Sequence, residues 1–188
     1  MARLDESWGA LLMAGQIGTY LVETLFGFFV LLLLARFHFQ WLRVPFRNPV
    51  GEFVLATTSW IVMPVRRVIP GLAGLDLATL LLAWTLQSLC VWAVAAMRGI
   101  DPDFVAVVLR AALDLVRYSL YILVFAIIVQ VVFSWINPYA PMAPVFNAMT
   151  APFLRPLRRF IPPLGNVDLT PLVLLVLIQV VLIVLANL

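Results

Sequence analysis

Long apolar runs alternate along the chain with short segments that hold nearly all of its charge. Three runs carry no charged residue: Leu77 to Met97 (21 residues), Tyr118 to Asn137 (20) and Leu169 to Leu188 (20). A hydrocarbon core of about 30 Å needs about 20 helical residues at about 1.5 Å each. A fourth stretch, about residues 10–39, is apolar except for Glu23 and Arg36. The pattern predicts an all-α membrane protein with four transmembrane helices. Two further apolar segments, Val50 to Met63 and Met142 to Leu154, are too short to cross. Asn48-Pro49 reads as an N-cap followed by proline at the first helical position. Both segments are expected as short interfacial helices, anchored by Trp60 or by Phe146 and Phe153.

The pattern occurs twice. "PVRRVIPGLAGLDL" begins at Pro64 and "PLRRFIPPLGNVDL" at Pro156, an offset of 92 residues. From Pro64 to Gln87 and Pro156 to Gln179 the two copies align without a gap, with 11 of 24 positions identical. "RFHFQW" ends at Trp41 and "QVVFSW" at Trp135, so the likeness extends upstream at an offset of 94. Each unit then holds a span, an interfacial helix, a Pro-Arg turn and a second span. Two spans per unit make the units parallel, related by an axis along the membrane normal. The first unit covers residues 1–97, an amphipathic helical connection 98–117, and the second unit 118–188. Within the turns, Pro64, Pro70, Pro156 and Pro162 are expected to stop the helix. Asp76 and Asp168 stand at the N-cap of the following span, where a carboxylate accepts amide hydrogen bonds and complements the helix dipole.

Composition fits the same picture. Of 188 residues, 64% are hydrophobic and 11% charged, against about 25% charged in soluble domains. All twelve basic residues are arginine. They are scattered beside apolar spans, which argues against nucleic acid and for anionic lipid headgroups. Arg66, Arg67, Arg158 and Arg159 are the candidate lipid- or partner-binding residues. By the positive-inside rule the Arg-rich turns face the cytoplasm and both termini face outward. "MARLDESWGA" lacks a net positive leader, so the first helix is expected to be retained.

Cys90 lies in mid-span and His38 has no partner at metal-ligand spacing, so no metal, cofactor or disulfide framework is expected. No glycine loop, nucleophile elbow or CxxC pair points to an enzyme. Polar groups inside spans are the remaining place to look. Gln87 and Gln179 each lie eleven residues beyond their aspartate, or roughly 16 Å along the helix. They either line a polar path with Glu23 or serve as interhelical glue. Glu23 either binds a cation or proton or pairs with Arg117. Arg110, Asp114 and Arg117 are spaced to pair along one solvated helix face.

The spans ending near "QW" and "SW", the two "P-[VL]-R-R-x-I-P" turns and "D-L" resemble the YggT (YlmG) family of integral membrane proteins. The fullest match is "APFLRPLRRFIPPLGNVDLTPLVLLVLIQ", Ala151 to Gln179. The resemblance implies a multi-pass protein of the bacterial inner membrane. It also implies roles in osmotic-stress tolerance and ion uptake, in cell division, or in haem attachment during chloroplast cytochrome assembly. Two functions are therefore carried forward. One is a non-catalytic scaffold or assembly factor binding anionic lipid and a membrane protein partner. The other is an ion channel or transporter subunit, for which a homo-oligomer would be needed to enclose a pore.

Overall fold

The computed structural model describes residues 2–71, 74–161 and 168–187, with side chains from residue 13 onward. Six helices follow one another: α1 (Ala2–Trp41), α2 (Pro49–Arg66), α3 (Leu77–Met97), α4 (Phe104–Ile136), α5 (Ala143–Arg158) and α6 (Thr170–Ala186). The order long helix, proline-containing helix, apolar helix thus occurs twice. Met13–Trp41, Leu77–Met97 and Phe104–Ile136 are long and apolar enough to cross a bilayer, while α6 is a shorter apolar helix of 17 residues. At 33 residues, α4 rises about 50 Å. It therefore joins the part of the connection from Phe104 onward to the span expected from Tyr118 in one continuous helix.

The termini of these helices follow from local chemistry. The side chain of Asn48 accepts from the Gly51 amide at 2.9 Å, with Pro49 at the start of α2. Asp103 likewise accepts from the Ala106 amide at 3.1 Å and starts α4. α2 and α5 run further than the short helices expected there, to Arg66 and Arg158, so Pro64 and Pro156 lie inside their last turns. Proline lacks only its own N–H, while its carbonyl still accepts: the Pro64 and Pro156 oxygens receive the amides of Arg67 and Arg159 at 3.2 and 3.1 Å. Pro70 sits in the turn that follows, and Pro162 lies outside the described residues.

α4 is the central element, packing against α1, α3, α5 and α6, and the broadest interface joins α1 to α3. One apolar cluster gathers Val30, Leu33, Leu34, Val62, Ala83 and Leu115 from α1 to α4. A second joins Phe39 and Val44 to Ala126, Val145, Phe146 and Met149. The third joins α4 to α5 and α6 through Leu123, Ile127, Leu154, Leu174, Ile178 and Leu182. Trp60 is exposed, whereas Phe146, expected beside it as an anchor type, is buried in the second cluster. Apolar side chains such as Leu25, Phe125, Ile128, Leu177 and Val180 cover the outside. Such continuous exposure is tolerable only where the surrounding medium is itself apolar.

Gly51 shows how tightly α2 is seated. A Cβ there would lie 2.5 Å from the carbonyl oxygen of Phe46 and 2.8 Å from its Cα. Gly51→Ala is expected to cost about 1–3 kcal/mol, because backbone must move. Gly27, in the middle of α1, would meet nothing within 4 Å. Gly27→Ala is expected to be neutral or to stabilise by up to about 1 kcal/mol. Thermal unfolding of the two variants in detergent, followed by tryptophan fluorescence, checks the contrast.

Candidate functional site

Polar side chains gather at the Pro-Arg turns and in a cavity beside α3 and α4. In the first turn, Arg66 donates from Nε to Asp76 Oδ1 at 3.2 Å and from Nη2 to Oδ2 at 2.5 Å. The same Nη2 reaches Gln40 Oε1 at 2.5 Å, which ties the end of α2 to the end of α1. Asp76 is 1% exposed and also accepts from the Thr79 amide at 3.3 Å and from the Thr79 hydroxyl. It is thus both N-cap of α3 and counter-charge of Arg66. Burial alone would push its carboxyl up, but the hydrogen bonds from Arg66 and Thr79 and the Arg66 charge hold it below the ordinary value.

The second turn repeats the ion pair at the same ten-residue spacing. Arg158 contacts Asp168 Oδ2 from Nε at 3.0 Å and from Nη2 at 2.9 Å. Asp168 is not the N-cap, however; Leu169 is. The residue matching Thr79 is Pro171, which has no N–H for a capping carboxylate. Asp168 accepts instead from the amide and hydroxyl of Thr170, at 3.0 and 2.6 Å. Burial again pushes upward, and Thr170 together with Arg158 brings the carboxyl below its ordinary value. Arg67 and Arg159 are exposed and make no ion pair among the described residues.

Sequence reasoning missed the residues that tie each proline-containing helix to the long helix before it. Arg36 is buried, and its Nη1 donates to Thr58 at 2.8 Å and Ser59 at 3.2 Å. In the second unit the hydroxyl of Thr150 contacts Gln130. Thr58 and Thr150 are 92 apart, and Arg36 and Gln130 are 94 apart. The offsets already visible along the chain therefore pick out one matching contact in each half.

The cavity, of about 440 Å³, is lined by Glu23, Gln87, Cys90, Arg98, Asp114 and Tyr118 among others. Glu23 and Gln87 are thus brought together, but Gln179 is exposed on α6 and lines no part of it. Gln87, buried, donates from Nε2 to Asp114 Oδ2 at 3.0 Å rather than facing its counterpart. Glu23 pairs with Arg98 at 3.3 Å and not with Arg117. Arg117 is committed elsewhere: Nη1 meets Asp114 Oδ1 at 3.2 Å, and Nη2 donates to the Leu185 carbonyl in the last turn of α6. A cation there satisfies a terminal carbonyl and the helix dipole. The expected Arg110–Asp114 pair forms at 3.4 Å, yet Asp114 points inward, with 15% of its side chain exposed, so the face is not simply solvated.

His38 is buried, with Nδ1 2.6 Å from the Leu34 carbonyl, which occupies the ring on its own helix. Among the described residues no three metal-binding side chains come together.

The model of the CCB3/YggT family matches residues 15–97 and again residues 109–188. The chain belongs to this family. An uncharacterized protein of Pseudomonas aeruginosa is 32% identical over 157 residues, covering 81% of this chain and 80% of its own length. The uncharacterized protein YggT of Escherichia coli is 31% identical over 165 residues, covering 87% and 86%. A Vibrio alginolyticus protein named for the region 3′ of proC is 30% identical over 164 residues, covering 86% and 89%. No solved structure matches. The two CCB3/YggT matches each include one Pro-Arg turn with its paired aspartate, so these turns lie within the family pattern of this chain.

Proposed function

We propose that this CCB3/YggT protein is a non-catalytic inner-membrane scaffold or assembly factor. Its two Arg-rich turns contact anionic lipid or a protein partner at the cytoplasmic surface. In this reading α6 is the fourth span, the units are parallel, and both termini face outward. A largely apolar helix of 17 residues falls at the short end of the range that crosses a bilayer.

One observation carries the reading. At each turn one arginine is held by the aspartate, while its neighbour, Arg67 or Arg159, stands exposed at a helix end. The paired arginine shapes the turn and the exposed one is left for a partner. A basic side chain near an anionic leaflet contributes about 1 kcal/mol. The double variant Arg67→Gln, Arg159→Gln is therefore expected to lose phosphatidylglycerol retention by about tenfold or more, with the unfolding midpoint unchanged. Lipid extraction and mass spectrometry of the purified protein measures this. Retention equal to wild type, together with unchanged co-purification of membrane proteins, sinks the platform reading.

A second reading, ion conduction, draws on Glu23, Gln87 and Asp114 sharing one cavity. It predicts potassium or sodium flux into proteoliposomes that disappears in Glu23→Gln or Gln87→Ala. Flux no greater than in empty vesicles removes it.

A further inference from the structure

A larger cavity, of about 510 Å³, opens between the end of α4 and α5, within the about 300–1,000 Å³ range of small-ligand sites. Its polar wall comprises Gln130 and Ser134 from α4 with Asn147, Arg155 and Arg158 from α5. Arg158 is neutralised by Asp168 at 2.9 Å. Arg155 is exposed and has no ion-pair partner among the described residues, so the cavity keeps a net positive wall.

Comparison of the two halves explains why the space exists. In the first unit the Arg36 guanidinium is buried against Thr58 and Ser59. The matching positions are Gln130, Thr150 and Ala151. A shorter side chain on α4 and the lost hydroxyl at Ala151 leave room that the first unit fills with its own cation. The positive charge reappears at the rim instead, where Arg155 replaces Met63. The first unit buries its cation between α1 and α2, whereas the second carries one, Arg155, on the wall of an open, polar-lined space.

We propose that this cavity binds a phosphate ester. The Arg155 guanidinium takes two of its oxygens through a forked pair of N–H donors, and Ser134 and Asn147 supply neutral hydrogen bonds. The lipid headgroup is the favoured source. Trp135 and Tyr139 beside the cavity are 79% and 95% exposed, and aromatic residues of this kind sit at headgroup level. The proposal deepens the platform reading, but it rests on residues other than Arg67 and Arg159, so the two can fail separately.

The test is native mass spectrometry of the purified full-length protein, titrated with phosphatidylglycerol and, separately, with glycerol 1-phosphate. Arg155→Gln is expected to weaken phosphatidylglycerol binding by about tenfold or more. Asn147→Leu, which fills the space, should do the same, and Arg155→Lys should recover part of the loss. Binding of glycerol 1-phosphate that is lost in Arg155→Gln supports the site with a soluble ester as its source. Affinities for both ligands within twofold of wild type in Arg155→Gln and Asn147→Leu overturn it, as does the absence of binding by wild type. Loss of phosphatidylglycerol only in Arg67→Gln, Arg159→Gln leaves the platform standing and removes the cavity.

Discussion

Asp76→Ala is expected to destabilise the protein by about 2–3 kcal/mol, whereas Asp168→Ala should cost about 1 kcal/mol or less. The two aspartates occupy matching positions, so the difference comes from their surroundings. Asp76 is 1% exposed, caps α3 and holds Arg66, whose side chain is 35% exposed. Removing a buried partner strands the other charge, at about 3–5 kcal/mol for a fully buried pair, and losing an N-cap costs about 1 kcal/mol. The exposure of Arg66 lowers the first figure, because water takes over part of the lost interaction. Asp168, at 37% exposure, holds a solvent-screened pair. Equilibrium unfolding in mixed micelles compares the two variants; equal losses would contradict the account.

The same carboxylates set an acid limit. Both sit below their ordinary value of 3.8 in the folded protein. A depressed carboxylate stabilises the fold fully above its unfolded value. That contribution fades as pH falls through the lower folded value. The unfolding midpoint should be level through neutral pH and fall below about pH 4. In Asp76→Asn the fall should be shallower, since one of the two contributions no longer titrates.

Asp114→Ala is expected to cost about 3 kcal/mol, far more than Gln87→Leu. The hydrogen bond from Gln87 is an ordinary interhelical one, which averages about 0.6 kcal/mol in membrane proteins. Arg117 matters more. Its side chain is 14% exposed and Asp114 is its only carboxylate partner among the described residues. Without Asp114 a buried guanidinium keeps only the Leu185 carbonyl and stands without counter-charge. Asp114→Leu combined with Arg117→Leu and Gln87→Leu should recover most of the loss, because replacing a whole buried polar set with apolar side chains is often neutral. A triple variant less stable than Asp114→Ala would show that the network is worth more than its burial costs.

The apolar runs, the duplicated Pro-Arg phrase and the N-caps at Asn48 and Asp76 were all readable along the chain. Each depends on residues close in sequence: charge-free length, a proline next to an asparagine, an acid before a run. The helical character of the connection leading into α4 and the Arg110, Asp114 and Arg117 pairing belong to the same class, since helical spacing alone sets them. The cap at Asp168 was misread although Pro171 stood in plain view, because an acid before an apolar run says nothing about which amide can donate. Which way polar side chains inside the helices face was not readable. Gln87 and Gln179 match in sequence, yet one is buried on Asp114 and the other exposed on α6. That choice is made by the neighbouring helix, as α4 brings an acid to Gln87 and, among the described residues, nothing comparable faces Gln179. Glu23 meets Arg98 and not Arg117 for a like reason, as the broad packing of α1 on α3 puts the end of α3 within reach. The open cavity under Arg155 is also a property of packing. A glutamine where the other half has arginine reads as a minor change until α5 closes over it and the volume is left unfilled.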